Sequence, residues 1–350
     1  MTSPRAAPRG PLVYRDPART AWRVSGAGAA RALHGLLTND ILAPAPGAAI
    51  SCLVLDPRGR TLADVRVLKG EAGLVLDLPA AAAEALAAHF ARYLPPRLAR
   101  TEPLEGAVLV RVLGPEADAA AREAVGAGDG PEPGRFVPFG GGGTDHGPGG
   151  AASAGTPDRP QAAGAADDAA GPAGFLVGRW PDEGGGIDVL LLRAADAGQR
   201  LERAAAARGG GPLDDDAWEA WRIERGIPEF GRDFDAANLP QETGLAARTV
   251  SFEKGCYTGQ EVVARIHYRG HVNRHLRGLR FPAGAAPPVG ASMYLGEKEI
   301  GRVTSTARSP SLGPIGLGMV RREVAPGDCV GLAPGGPADI EVVEFPFTSA

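Results

Sequence analysis

Lysine is nearly missing from this chain. Of its 37 basic residues only Lys69, Lys254 and Lys298 are lysine, and arginine supplies the rest. Asparagine and tyrosine are also scarce, a pattern that fits the drift of a GC-rich genome. Where such drift favours Arg, a lysine that remains marks a place where a compact ammonium or its titration matters. That weighting points to Lys254. Cysteine is as sparse: Cys52, Cys256 and Cys329 are odd in number and far apart. They form no two-cysteine metal spacing and no thioredoxin-like pair, so a disulfide framework is excluded and reduced thiols are expected. Long apolar runs are absent too. Met1 to Arg23 carries Pro4, Pro8, Pro11 and Pro17 with no stretch long enough for a signal h-region or a membrane span. A cytoplasmic protein with no membrane association is the expectation. A net charge of -4 argues against a surface built for broad nucleic-acid binding, although it leaves room for a local basic patch.

What is present is enough for two or three domains: 350 residues, 44% of them apolar. Trp22-Arg23-Val24 reads as a strand, and Ala30, Leu33 and Leu37 share one face of a helix over 29–37 that ends at Thr38-Asn39-Asp40. Three short strands follow, 49–55, 62–68 and 74–78, joined by Pro57-Arg58-Gly59 and by 70–73, as in an antiparallel meander. Pro79 opens an alanine-rich helix to Tyr93. A strand at 108–113 and a helix at 116–125 complete an α+β pattern.

Between 140 and 174 the composition turns to Gly, Ala, Pro, Asp and Ser, with too little apolar surface to offset ordering entropy, so a disordered insertion or linker is expected. Beyond it, 175–180 and 187–192 form a hairpin, 195–208 a helix, and 215–225 a helix capped by Asp214. Trp218 and Trp221 on that helix read as core. From Leu276 onward, short strands between glycines and prolines fit a small β-barrel. The expected division is 1–139, an N-terminal α+β lobe; 140–174, the linker; 175–270, a second α+β lobe; and 271–350, the barrel.

The chemistry gathers in Lys254-Gly255-Cys256-Tyr257-Thr258-Gly259-Gln260-Glu261. Thr258 and Glu261, three apart before Val262-Val263-Ala264, have the spacing of a capping box, which predicts a helix from Gly259 with Thr258 as N-cap. Cys256 would lie two residues before that cap, where the helix N-terminus and Lys254 both favour thiolate. The two readings are an activated, accessible thiol and a structural cysteine in a glycine-rich turn. Cys52 and Cys329 fall in predicted strands and read as buried small hydrophobes.

No Asp or Glu occurs from Val262 to Gly296, while Arg265, Arg269, Arg274, Arg277 and Arg280 do. This arm suits a phosphate, a nucleic-acid backbone or a multiply carboxylated ligand, and equally a solvated face balanced by acids elsewhere. His267, His271 and His275 are four apart, but Gly270 interrupts the run and no metal site is expected.

The string KGCYTGQE over 254–261 resembles the signature of the YgfZ family, folate-binding relatives of the glycine-cleavage T-protein that support iron-sulfur proteins. Leu36-Leu37-Thr38-Asn39-Asp40-Ile41, Asp56-Pro57-Arg58-Gly59-Arg60, Arg222-Ile223-Glu224-Arg225-Gly226-Ile227-Pro228 and Gly301-Arg302-Val303-Thr304-Ser305 are similar to other segments of that family. The resemblance implies a T-protein-like multi-lobed fold, two α+β lobes and a C-terminal β-barrel around an opening that holds tetrahydrofolate or a derivative. A pterin offers adjacent N-H donors that a fixed carboxylate can accept. In T-proteins that acid follows a Gly-aromatic pair on a strand; Asp188, after Gly186-Ile187, is the matching position, and a surface Asp on a strand is the alternative. Glu224 is a second candidate, or a partner of arginine. Asp64 sits where T-proteins place a folate-facing acid, with Ala63 replacing the first member of their acidic doublet.

On this reading Cys256 and Lys254 carry the chemistry, and Asp188, Glu224, Asp64, Tyr257, Gln260, Glu261 and Arg265 contact the folate. The implied function is a monomeric, folate-binding accessory factor for iron-sulfur enzymes, with client proteins or assembly factors as partners. An aminomethyltransferase of the T-protein type and an RNA-associated or tRNA-modification factor are the alternatives.

Overall fold

The computed structural model describes residues 10–71, 73–140, 172–180, 184–193, 196–284 and 286–347. Most of the expected linker, 141–171, lies outside them. Strands β1 (Leu12–Asp16) and β2 (Arg19–Ser25) enter two different sheets. After α1 (Ala29–His34) comes the meander β3 (Ala48–Leu55), β4 (Thr61–Lys69) and β5 (Leu74–Pro79). Helix α2 (Ala83–Tyr93) and strand β6 (Arg100–Pro103) follow, giving a five-stranded sheet of order β3-β4-β5-β2-β6.

The second sheet takes β7 (Val108–Leu113), then, after α3 (Ala117–Val125), strands β8 (Phe136–Phe139), β9 (Gly174–Gly178) and β10 (Ile187–Leu191). Helix α4 (Ala197–Ala206) leads to β11 (Gly211–Pro212), and the order is β11-β1-β7-β10-β9-β8. This sheet therefore combines strands from both sides of the linker. Residues 12–16, 108–113 and 136–139, inside the first lobe expected from sequence, are hydrogen-bonded into the second. Hydrophobic periodicity marks strands but not their partners, so sequence order stood in for sheet order.

Two-residue alternation then decides what lies between the sheets. On β7 and β10, Val110, Val112, Ile187 and Val189 pack on α3 and α4. Leu109 and Leu190 point the other way and meet Ala21 and Leu68 of the first sheet. Stepping two residues along the same strands replaces each of these apolar side chains with a charged one: Arg111 for Leu109, Asp188 for Leu190, Arg66 for Leu68 and Arg19 for Ala21. The layer between the sheets is thus apolar at one end and ionic at the other. Burying the apolar end contributes roughly 25 cal/mol per Å² of apolar surface.

Helix α5 (Asp215–Glu224) is capped as expected, the Asp214 side chain accepting from the Ala217 N-H at 2.8 Å. Trp218 is buried as expected, stacked on Tyr14 at 4.8 Å, whereas Trp221 is half-buried and carries the Arg225 guanidinium 3.9 Å from its ring centre. Short α6 (Ala246–Thr249) and then α7 (Gln260–Arg269) precede the third sheet. That sheet contains β12 (Arg274–Arg280), β13 (Ser292–Leu295), β14 (Lys298–Ser309), β15 (Gly313–Arg321), β16 (Cys329–Val330) and β17 (Ile340–Val343). Its order is β13-β14-β15-β12-β17-β16, and a bridge from Tyr294 to Gly331 brings its ends together into a nearly closed barrel. The α+β class with a C-terminal barrel is as expected. Cys329 is not: it lies exposed on the edge strand β16, while Cys52 is buried.

Candidate functional site: the motif loop and the arginine-lined cavity

The loop ahead of α7 is sewn to the N-terminal lobe by backbone and side-chain hydrogen bonds. Thr38 Oγ1 donates to the Thr249 carbonyl at 2.6 Å while accepting from the Leu53 N-H at 2.7 Å. Asn39 Nδ2 donates to the carbonyls of Ser51 and Arg248 at 3.0 and 3.1 Å. Ser251 N-H donates to the Thr38 carbonyl, and Thr258 N-H to that of Gly35. Lys254 completes the seam. Its Nζ donates to the carbonyls of His34, Leu37 and Asn39 at 2.6, 2.7 and 3.3 Å, filling acceptors at and beyond the end of α1. Burial pulls the Lys254 ammonium down to about 8, partly offset by Cys52 and the Asp40 carboxylate. All three N-H donors of the ammonium are engaged by these carbonyls, which makes Lys254 the tie that positions the loop.

The capping box predicted over Thr258 to Glu261 does not form. Helix α7 begins at Gln260, its N-cap is Gly259 at φ +81°, and no side chain caps it. The left-handed N-cap follows from packing: a Cβ on Gly259 would lie 2.6 Å from the Asp56 carbonyl oxygen and 3.0 Å from Gly59 Cα. The Asp56 to Gly59 turn between β3 and β4 therefore presses directly on the motif, where only glycine fits. Gln260 Oε1 accepts weakly from the Tyr257 N-H at 3.4 Å. Glu261 and Arg265 are exposed on α7. Tyr257 is buried with Leu53, Leu55 and Val263, its ring centre 5.1 Å from Lys254 Nζ, and burial pushes its phenol up to about 12.

Cys256 stands exposed at the crest of this anchored loop, next to Gly255, above which the space is open. Cys52, by contrast, is fully buried, and burial pushes its thiol up to about 12.

A cavity of about 520 Å³ opens where the ionic end of the inter-sheet layer meets α6, the Gly226 to Pro228 turn and the Phe345-Pro346 segment. Asp188 lies at its floor with no exposure, accepting from Arg66 at 2.7 Å, Arg179 at 2.9 Å and Arg111 at 3.4 Å. Burial alone would raise the Asp188 carboxyl; the guanidiniums of Arg179, Arg111 and Arg66 outweigh it and hold the group far below the carboxylate range. Asp77 accepts from Arg19 at 2.8 Å and Arg66 at 2.7 Å. Arg111 also grips Asp16 through two nitrogens, at 2.6 and 2.8 Å. Asp64 accepts from Arg19 at 2.5 Å and keeps 26% of its side-chain surface exposed, against 3% for Asp77 and none for Asp188. Sequence reasoning missed these arginines: alternation on β2, β4 and β7 places them on one face, but the sheet pairing that gathers them is non-local.

Of the residues expected to contact a folate, Asp64 and Asp188 line this cavity. Glu224 lies beside it in sequence, one position before Arg225, and accepts from Ser309 Oγ at 2.5 Å. Lys254, Cys256, Tyr257, Gln260, Glu261 and Arg265 belong to the motif loop and α7 and are not among the lining residues; Cys52 and Thr249, which do line the cavity, come from β3 and from the end of α6. In the basic arm, Arg274, Arg277 and Arg280 face Glu242, Glu344 and Glu341 at 3.5, 3.3 and 3.8 Å, a face balanced by acids from distant sequence. His267 stacks on Phe252 at 3.7 Å, and Tyr268, 66% exposed, packs edge-on against both. Gly270 ends α7, so His267, His271 and His275 fall on a helix, a loop and a strand.

Residues 274–348 match the family model described as the glycine cleavage T-protein C-terminal barrel domain. The whole fold is similar to that of glycine cleavage system aminomethyltransferase T from Bartonella henselae, with a TM-score of 0.79 over 98% of this chain and 87% of that one. Identity there is 19%, a likeness of fold. The tRNA-modifying protein YgfZ of Yersinia enterocolitica is 47% identical over 83 residues, 23% of this chain and 25% of that protein. Human mitochondrial iron-sulfur cluster assembly factor IBA57 is 31% identical over 291 residues, 77% of this chain and 66% of that protein. These two matches thus span a quarter and just under two thirds of the relatives' own lengths. The tRNA-modifying protein YgfZ of Edwardsiella ictaluri is 30% identical over 274 residues, 78% of this chain and 72% of the relative. Matched in sequence across most of its length and in fold throughout, the chain belongs to the YgfZ family.

Proposed function

We propose that this protein is an accessory factor for the assembly or repair of iron-sulfur enzymes, with Cys256 as its working thiol and a folate as the ligand of its cavity. The observation that carries the reading is the exposed Cys256 on a loop tied to the N-terminal lobe by one buried ammonium, Lys254 Nζ, which donates to three of that lobe's carbonyls. A thiol held this way stays accessible to a client protein without requiring the loop to unfold. The name of the human relative, an iron-sulfur cluster assembly factor, supports the same assignment.

The cavity residues fit a folate in two respects. Asp64 is the exposed acceptor for pterin N-H donors, and the guanidiniums of the wall suit the glutamyl carboxylates. Asp188, fully buried and engaged by its arginines, fits a structural role better than that of a pterin acceptor. A tetrahydrofolate derivative, when bound, would supply a one-carbon group carried on its N5 or on the bridge nitrogen N10; Asp64, Arg19 and Arg66 would hold and orient it. Titration of the protein with tetrahydrofolate, followed by complementation of a strain lacking the protein with Cys256→Ala, tests both halves. Binding together with failed rescue of iron-sulfur enzyme activity is the expected result, and full rescue removes the thiol from the account. The aminomethyltransferase alternative is separated by tetrahydrofolate-dependent ammonia release from an aminomethyl-lipoyl carrier, where robust turnover would displace the accessory role.

A second reading, contact with RNA, is favoured by the Phe252, His267 and Tyr268 stack with Arg265 and Arg269 exposed on the same helix. Base stacking on such rings contributes about 1–3 kcal/mol per base. Tight tRNA binding with a steep salt dependence, lost in Tyr268→Ala, supports it; salt-independent or undetectable binding removes it.

A further inference from the structure

A second cavity, of about 630 Å³, opens where the first hairpin, the turn at Pro240–Glu242 and the α7 to β12 connection meet the end of β15. It shares no lining residue with the cavity between the sheets. Its cations are Arg60, Arg274, Arg321, Arg322 and, when protonated, His271; its acids are Glu242 and Glu323. Both acids are engaged. Glu242 accepts from Asn238 Nδ2 and the Leu239 N-H at 3.1 Å and pairs with Arg274 at 3.5 Å. Glu323 takes Lys298, from outside the lining, at 2.5 Å, with Arg321 acting on it at longer range. In the flanking turns, Asp56 accepts from the N-H groups of Arg58 and Arg60, and Asp235 from that of Ala237. Arg60 spends one N-H on the Ala237 carbonyl. The exposed guanidiniums of Arg321 and Arg322 make no hydrogen bond or ion pair among the described residues.

This basic recess continues along α7. A Cβ on Gly59 would lie 3.0 Å from Val262 Cβ, so that stripe of α7 lies against the hairpin. Arg265 and Arg269, three and seven positions on from Val262, share the stripe and are exposed. Arg265 is also three positions before Tyr268, which stands 66% exposed beside the stacked Phe252 and His267. Three residues further, at most about 11 Å of chain, His271 lines the cavity. An aromatic face that any base can cover, next to guanidiniums outside any ion pair, meets the two needs of a single-stranded nucleic acid: rings for its bases and forks for its phosphates.

We infer that this second cavity seats a backbone phosphate of single-stranded RNA on the forks of Arg60, Arg321 and Arg322, while a neighbouring base stacks on Tyr268 beside Phe252 and His267. The site rests on the RNA reading above and leaves the cavity between the sheets to a separate ligand.

Fluorescence anisotropy of a labelled single-stranded oligoribonucleotide, titrated with the full chain across a salt series, tests this. Arg321→Gln and Arg322→Gln together, at exposed positions, should weaken binding about ten-fold. With two phosphate contacts gone, the slope of log K against log salt should become shallower by about 1.4. Tyr268→Ala should weaken binding about five-fold or more and leave that slope unchanged. Arg97→Gln, an exposed arginine outside the cavity and α7, should bind as the wild type does, and the melting curves of all these variants should coincide with that of the wild type. RNA binding that falls in Tyr268→Ala but not in the double arginine variant overturns the phosphate seat and leaves the RNA reading standing. No RNA binding at all overturns both. Polyglutamate bound as tightly as the RNA marks an unselective basic surface and also overturns the seat.

Discussion

Lys254 Nζ donates to the backbone carbonyl of Leu37 at 2.7 Å, joining positions 217 residues apart in sequence. The same ammonium serves His34 and Asn39, so one side chain closes the N-terminal lobe onto the signature loop. Lys254→Met leaves these carbonyls short of donors in a buried setting, and unfolding in urea should show a loss of about 2–4 kcal/mol. Cys256→Ser, at an exposed position, should stay within about 0.5 kcal/mol of the wild type.

The pH dependence of that tie has a definite sign. Burial pulls the folded amine to about 8 from an ordinary 10.5. Between those values the unfolded chain binds more protons, so this group's contribution to stability is flat below 8 and rises with pH above it. The gap in unfolding free energy between wild type and Lys254→Met should therefore widen between about pH 7 and about pH 9.5. A constant gap would mean that the amine keeps its proton throughout.

Gly259 joins the motif to the first hairpin. Its φ of +81° and the 2.6 Å approach that a Cβ would make to the Asp56 carbonyl predict that Gly259→Ala destabilises by about 1–3 kcal/mol. Gly255→Ala, with nothing near the added methyl, serves as the comparison and should cost much less in the same thermal melts.

How much of this was legible in the sequence depends on range. The motif, the meander, the capped helix at 215–225 and the barrel strands came from local patterns, and each formed. The capping box of Thr258 and Glu261 has the right spacing, but the Asp56 turn forces Gly259 into a left-handed N-cap, a contact 203 residues away in sequence that no local pattern carries. Lys254 stood out by its rarity; that it faces the carbonyls of α1 depends on how the lobes dock. Asp188 was legible as a strand acid, yet its engagement by Arg66, Arg111 and Arg179 depends on strands that sequence order assigned to different lobes. Long-range pairing, more than any single residue's chemistry, was what the one-dimensional pattern withheld.

The thiols should sort by exposure. With excess iodoacetamide under native conditions, peptide mass spectrometry should find Cys256 and Cys329 alkylated rapidly and Cys52 only on denaturation, since Cys52 is buried and its thiol is pushed up to about 12. Rapid native labelling of Cys52 would mean that the core between the first sheet and helices α1 and α2 opens.

The central claim, an exposed working thiol on a loop anchored by Lys254, is tested most directly by one complementation measurement. A strain lacking this protein would be supplied with wild type or Cys256→Ser, and the activity of its iron-sulfur enzymes assayed alongside the amount of folded protein. The account predicts wild-type levels of folded Cys256→Ser with iron-sulfur enzyme activity as low as in the empty-vector strain. Wild-type enzyme activity in cells carrying Cys256→Ser would contradict it.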